Sequence, residues 1–319
     1  MAHLVETMAY AGEVPWHGLG KKVPADLSPE QMLVTAGLNW EVEKKPLFYE
    51  VDGHKFPSGQ NALVRSSDDS LLTVVSNDWK PVQNSTAFEF FDDFVKSGEM
   101  QMHTAGSLKN GKIVWALAKV NESFDLFKGD QVDSYLLFTN PHEFGRSIDV
   151  RFTPVRVVCN NTLTMSLASE SNNHVKINHR TEYNAENVKE LLGIAKEKLA
   201  RYKEMASYLG SKRAEGTELS HYFNRVFPSM SFKEEVKGKA LGAGPISRQA
   251  KQAMDVYETQ PGANFAKGTW WQAFNAVTYL TDHKLGRSAD ARLTSAWYGH
   301  NKIKKDNALK LAVEFAEAA

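Results

Sequence analysis

The feature that most narrows the fold is a change of hydrophobic period near residue 184. Before it, apolar and polar side chains alternate, as in Trp40-Glu-Val-Glu-Lys44 and Leu47-Phe-Tyr-Glu-Val51, the pattern of half-buried strands. After it, Val188, Leu191, Leu192, Ala195, Leu199, Tyr202 and Met205 form one stripe of a long helix. Strands gathered ahead of helices predict an α+β chain, not alternating βαβ units. The expected architecture is an antiparallel β-meander with packed helices in the N-terminal part, then a helical C-terminal part. It divides into an N-terminal arm at residues 1–27, an α+β domain with an antiparallel sheet at 28–183 and a mostly helical region at 184–319.

Turn and cap chemistry places the elements. Asp52-Gly53 and Lys109-Asn110-Gly111 are hairpin turns. Strands are predicted at Asn61–Arg65, Leu71–Val75, Met100–Ala105, Lys112–Val120 and Val132–Thr139. Ser28-Pro29 opens a short helix, and Asn84-Ser85 caps one that carries Phe88, Phe91 and Val95 and ends at Gly98. In the helical part, Gly210 stops the first helix and Ser247 starts another. The apolar run Gly268–His283 is a buried helix, and helices at Ala289–Trp297 and Asp306–Ala318 finish the chain.

Charge and cysteine content narrow the function. Lys+Arg and Asp+Glu both number 38, which argues against a wholesale electrostatic nucleic-acid binder. The balance is uneven: residues 1–183 hold 17 basic and 23 acidic side chains, residues 184–319 hold 21 and 15. The lone Cys159 closes no disulfide, which suits a reducing compartment. No secretory leader and no membrane-length apolar run is read, so the expected location is cytoplasmic, with no membrane partner.

The strongest lead is Arg146–Leu167. It reads as an extended arm with Arg146, Arg151 and Arg156, then a polar elbow, Asn160-Asn161-Thr162, opening a helix. Such a corner presents backbone N–H groups to an anion, and arginines add permanent charge. Five-residue spacing sends successive arginines to opposite strand faces, so they serve equally as salt-bridge partners of Glu143 or Asp149. The elbow also reads as a plain helix cap, and Cys159 as a buried small side chain instead of a nucleophile.

A second basic stretch, Lys284 to Lys305, interleaves Lys302, Lys304 and Lys305 with Trp297, Tyr298 and His300. Cations mixed with aromatics suit single-stranded nucleic acid, or a helix pair with its rings turned inward. Trp16-His17, in the Gly/Pro-rich arm, is a candidate partner-binding anchor or a cap on the chain's own core. His174 and His179 lie on opposite strand faces and no His-Glu-x-x-His occurs, so no metal is expected. Gly242-Ala-Gly244 lacks the ending of a phosphate loop. No cofactor and no catalytic residue is assigned.

Three motifs then fall in order: Pro15-Trp-His-Gly-Leu-Gly20, Arg156-Val-Val-Cys-Asn-Asn-Thr-Leu163 and Asn275-Ala-Val-Thr-Tyr-Leu-Thr-Asp-His283. Together they resemble the phage/plasmid-like family carrying domain of unknown function 932. The resemblance implies residence on phages, prophages or plasmids in a bacterial cell, and no activity. The meander, central helix and basic elbow are also similar in outline to phage single-strand annealing proteins, a fold-level analogy. The expected function is nucleic-acid binding, plausibly of single-stranded DNA in recombination or replication, with self-association into an oligomer. Two alternatives stand beside it: a non-catalytic protein-interaction factor acting on a host or defence component, and an enzyme on a nucleotide or small molecule centred on Cys159–Thr162.

Overall fold

Strand-forming sequence before residue 180 folds into two sheets. The larger contains β1 (Val5–Ala11), β2 (Lys21–Val23), β6 (Met100–Leu108), β7 (Ile113–Phe127), β8 (Asp130–Pro141), β9 (Ile148–Arg156), β10 (Asn161–Thr162) and β11 (His174–Ile177). Its order is β10-β9-β8-β7-β6-β1-β2, with β11 also paired to β9. The smaller sheet is β3 (Val42–Val51), β4 (His54–Arg65) and β5 (Leu71–Ser76), in that order. The computed structural model describes residues 5–12, 20–156, 161–162, 174–229, 246–288, 291–292, 295–296 and 299–318.

The α+β expectation holds, with strands and short helices before residue 180 and a helical part after it. Turn chemistry explains the hairpins. Lys109, Asn110 and Gly111 all take positive φ, the left-handed backbone that a tight β6–β7 connection needs. The supposed N-terminal arm is corrected in part: Val5–Ala11 pairs antiparallel with β6, and Lys21–Val23 runs parallel to β1. Its small and apolar residues, Met8, Ala9, Tyr10 and Ala11, are buried, which anchors that stretch.

Helices follow in chain order. α1 (Pro29–Thr35) begins with a capping box: Ser28 Oγ accepts from Gln31 N, and Gln31 Oε1 accepts from Ser28 N. The helix expected from Asn84 to Gly98 is instead two, α2 (Asn84–Glu89) and α3 (Asp92–Lys96). The break at Phe90–Phe91 lets both rings bury on Phe138 of β8. In the helical part come α4 (Ala185–Ser211), α5 (Gly216–Val226), α6 (Arg248–Tyr257), α7 (Trp270–Tyr279) with a π-helical turn at Leu280–Lys284, and α8 (His300–Ala318). Gly210 does not end its helix. A Cβ there would stand 2.1 Å from the Phe127 ring, so the glycine is a seat for that ring inside α4.

The chain forms two compact units drawn from interleaved stretches. One comprises residues 1–122, 135–152 and 174–194; the other comprises 123–134, 153–173 and 195–319. A single cut after residue 183 does not separate them, because the tip of the β7–β8 hairpin and the end of β9 belong with the helices. The first core gathers Met32, Leu38, Leu63, Phe88, Phe91 and Trp115. The second is aromatic: Tyr222 meets Trp270 edge-on at 5.5 Å, Trp270 meets Phe315 at 5.2 Å, and the Tyr222 hydroxyl donates to Ala308 O at 3.1 Å. No helix of the described residues is long and apolar enough to cross a membrane.

Candidate functional site: an aromatic ribbon and its strap

The arginine stretch does not present an open cationic row. Arg146 Nε pairs with Glu143, and Arg151 Nη1 lies 3.4 Å from Asp149 Oδ2 with both side chains mostly buried. Arg156 lies on β9, where its backbone pairs with Asn161 and that of Val155 with Thr162. The elbow is thereby corrected in part: Asn161-Thr162 is a strand returning along β9, and the helix expected to follow it lies outside the described residues. Asn160 and Cys159 lie outside the described residues, as do Trp16 and His17.

The lysines near the C-terminus are also engaged. Lys305 is corrected as a ligand contact: its Nζ lies 2.8 Å from Asp282 Oδ1, and both side chains are 1 % exposed. Lys304 Nζ donates to Gln249 Oε1 at 3.0 Å and lies 5.3 Å over the Phe227 ring; partial burial holds its pKa below the usual lysine value. Lys302 is half-buried on the first turn of α8. These lysines belong to the second unit, Arg146 and Arg151 to the first. Among the described residues, no group of three or more His, Cys, Asp or Glu side chains is placed to hold a metal.

What sequence reading missed is a surface. Among the described residues the distal half of the β3–β4 hairpin has no third strand, because β5 pairs with β4 only over Gln60–Val64. Every residue from Phe48 to Gln60 is exposed. Direct pairing of Tyr49 with Phe56 and Val51 with His54 puts those four on one face; Phe48 with Pro57 and Glu50 with Lys55 share the other. Phe48 is 57 % exposed, Tyr49 55 % and Phe56 43 %, and the Tyr49 and Phe56 rings stack at 5.6 Å. Alternation in Leu47–Val51 was a visible signal for a strand. Nothing in the pattern said that no core lies behind it.

The ribbon's charges balance. Lys45 pairs with Glu43 at 2.9 Å and with Asp69 at 3.5 Å. Lys44 Nζ donates to the carbonyls of Asn77 and Trp79, the latter at 3.1 Å. Pro46 sits in the edge strand β3, where a missing N–H discourages strand addition. The ribbon therefore offers its faces, not its edge.

The ribbon's base is tied down by the segment 77–84. On one side, Asn61 Nδ2 donates to Asn77 Oδ1 at 2.5 Å, and the Gln83 amide accepts from Val42 N at 2.8 Å and donates to Val42 O at 3.1 Å. On the other side three buried side chains hold the same segment. Lys80 N donates to His179 O at 2.6 Å, and His179 Nδ1 donates to Lys80 O at 3.2 Å. Asn140 Nδ2 donates to Val82 O at 2.8 Å. Asn84 Nδ2 donates to the carbonyls of Leu38 and Trp40, so its Oδ1 must accept, and His142 Nε2–H donates to it at 2.9 Å.

Trp79 stacks on His179 at 4.1 Å, and Trp40 meets His142 edge-on at 5.5 Å. Burial, then the neighbouring His179, lowers the His142 pKa to about 3. Burial also lowers that of His179, against the pull of the Lys80 and Pro141 carbonyls.

No curated protein and no solved structure matches the chain. A family model does match, over residues 71–297, beginning at β5 and taking in the second unit's helices as far as Trp297. The ribbon at 42–65 lies ahead of the matched stretch, which includes the second and third of the three sequence motifs. With well over half its length matched, the chain belongs to the family described as Domain of unknown function (DUF932).

Proposed function

We propose that this protein is a non-catalytic binding protein for single-stranded nucleic acid, acting in recombination or replication of a phage or plasmid within a bacterial cytoplasm, with the β3–β4 ribbon as its contact surface. The observation that supports this reading is the stacked pair Tyr49 and Phe56 standing in solvent on one face, with Phe48 exposed on the other. Exposed rings on a strand platform stack on unpaired bases, whose faces are hidden in a duplex. His54 and Lys55 stand beside them for phosphate contact. With Arg146, Arg151, Lys304 and Lys305 engaged internally, affinity comes from stacking more than from phosphate neutralisation.

The test is fluorescence anisotropy with a labelled 30-nucleotide single strand and its duplex. The single strand is expected to bind in preference. Tyr49→Ala with Phe56→Ala weakens it by about 30-fold or more, from about 1–3 kcal/mol for each of two stacked bases. The salt dependence is shallow: two phosphate contacts on a single strand give a loss of about 7-fold between 50 and 200 mM salt. Failure of single-stranded DNA and RNA alike to bind, or binding indifferent to the double substitution, overturns the reading. A second reading, a protein-interaction factor, is favoured by one observation: Val51 shares the Tyr49 face, and the exposed Leu71 and Val74 lie on β5 of the same sheet. In that case the same substitutions abolish capture of a protein partner and leave oligonucleotides irrelevant.

A further inference from the structure

We propose that the segment Asn77–Asn84 is an acid-released strap: two buried histidines packed against it, His142 and His179, hold the base of the ribbon in place at neutral pH and let it go when the solution is acidified. The inference stands on the two-sided attachment. One side grips β3 and β4 through Lys44, Val42 and Asn61; the other is held by His179, Asn140 and His142 at Lys80, Val82 and Asn84. Lys80, Val82 and Asn84 alternate along the stretch that leads into α2, so opening one side frees the segment to leave the other. The strap holds the ribbon's base, because among the described residues the distal ribbon has no third strand and no core of its own.

The histidines make that attachment sensitive to protons. His142 is fully buried, and its one ring N–H is committed to Asn84 Oδ1, which leaves Nδ1 without a hydrogen-bond partner among the described residues. A proton added there brings a charge into a site with no facing carboxylate. The charged groups around the strap are Lys44 on β3, Lys80 on the strap itself, the Asp78–Arg180 pair at 3.6 Å, and Glu143 beside His142, which is engaged by Lys109 and Arg146. None of these replaces a buried counter-ion for His142. His179 is the more tolerant of the two, since the Lys80 and Pro141 carbonyls face its ring.

The sign follows from proton uptake. The opened strap binds protons at the ordinary histidine value of 6.5, the closed strap only near 3, so opening takes up protons and is favoured as pH falls below 6.5. For His142 alone the open fraction rises by about 30-fold at pH 5, and His179 adds to it in the same direction.

Hydrogen exchange on the full chain, corrected for the intrinsic pH dependence of exchange, reads this directly. Between pH 7.5 and 5.0 the Lys80 amide and the backbone amides at the base of β3 and β4 are expected to lose about 30-fold or more in protection. Those of α7 in the second unit should hold theirs. His142→Gln flattens the response; if that variant does not fold, His179→Gln reduces it in part. A strap that keeps its protection at pH 5, or that loses it only in step with α7, overturns the proposal. The measurement uses no ligand, so failure of the ribbon to bind nucleic acid leaves this result standing, and the reverse holds too.

Discussion

Lys305→Met is expected to destabilise the second unit by about 3–5 kcal/mol, read as a fall in the urea midpoint followed by tryptophan fluorescence, because it leaves Asp282 charged and buried. The geometry behind this is a π-turn. Leu285 N donates to Leu280 O at 2.8 Å, five residues back, which widens the end of α7 and brings Asp282 inward. α8 closes over that widening. Asn301 Nδ2 donates to Thr281 O at 2.7 Å, and one turn later Lys305 reaches Asp282. Each half of the pair exists to answer the other, so the double variant Asp282→Leu with Lys305→Met is expected to recover most of the loss. A single variant within about 1 kcal/mol of the parent would mean that the carboxylate had found water, and the buried pair would have to be given up. Binding of a single strand at the ribbon is expected to be the same in the folded double variant as in the parent, since Lys305 faces the interior.

Much of this architecture could be read from residue order, and the exceptions share a cause. The meander was legible because alternation and turn chemistry agree: Asp52-Gly53 and Lys109-Asn110-Gly111 each take the positive φ that their hairpins need. Ser28 and Ser247 start their helices as expected, whereas Asn84, expected as a cap, is the first residue of α2 with Gln83 at its N-cap. Information that depends on what lies opposite was hidden. The break between α2 and α3 contains no glycine or proline; it is set by where Phe90 and Phe91 find Phe138.

The polar groups divide in the same way. Glu143 and Asp149 are three and two positions from the arginines they engage, so their pairing could be weighed in advance. Asp282 is 23 positions from Lys305, and no spacing rule joins them. The ribbon shows the complementary limit. An alternating pattern predicts a half-buried strand, but burial needs a second layer, and Leu47–Val51 has none among the described residues. His142 and His179 looked unrelated in sequence. Both hold residues 77–84, His179 at Lys80 and His142 at Asn84.

Gly106→Val is expected to lower the stability of the first unit by about 3 kcal/mol, the upper range for forcing a side chain into filled space. A Cβ at this position would stand 2.4 Å from the Thr7 carbonyl oxygen and 3.2 Å from Met8 Cα. Those are backbone atoms of the neighbouring strand, so no rotamer change relieves the clash. β1 must move away from β6, or β6 must bow. Either response strains the rungs from Thr7 to Tyr10, and β2, which among the described strands pairs with β1 alone, follows.

The ion pair between Glu6 and Arg65 at 2.7 Å loosens with it, because Glu6 rides on β1 while Arg65 rides on β4 at the foot of the ribbon. The effect of Gly106→Val therefore reaches beyond its own strand pair, and the β3–β4 amides nearest Arg65 should exchange faster in the variant at neutral pH. Gly106→Ala, with the same Cβ and no branch, separates the two components. If alanine already gives most of the loss, close backbone approach is the cause; if only valine does, crowding by the buried Met8 and Trp115 across the sheet is. A valine variant within about 0.5 kcal/mol of the parent would show that β1 yields freely, and the strand would then contribute little to holding the first unit together.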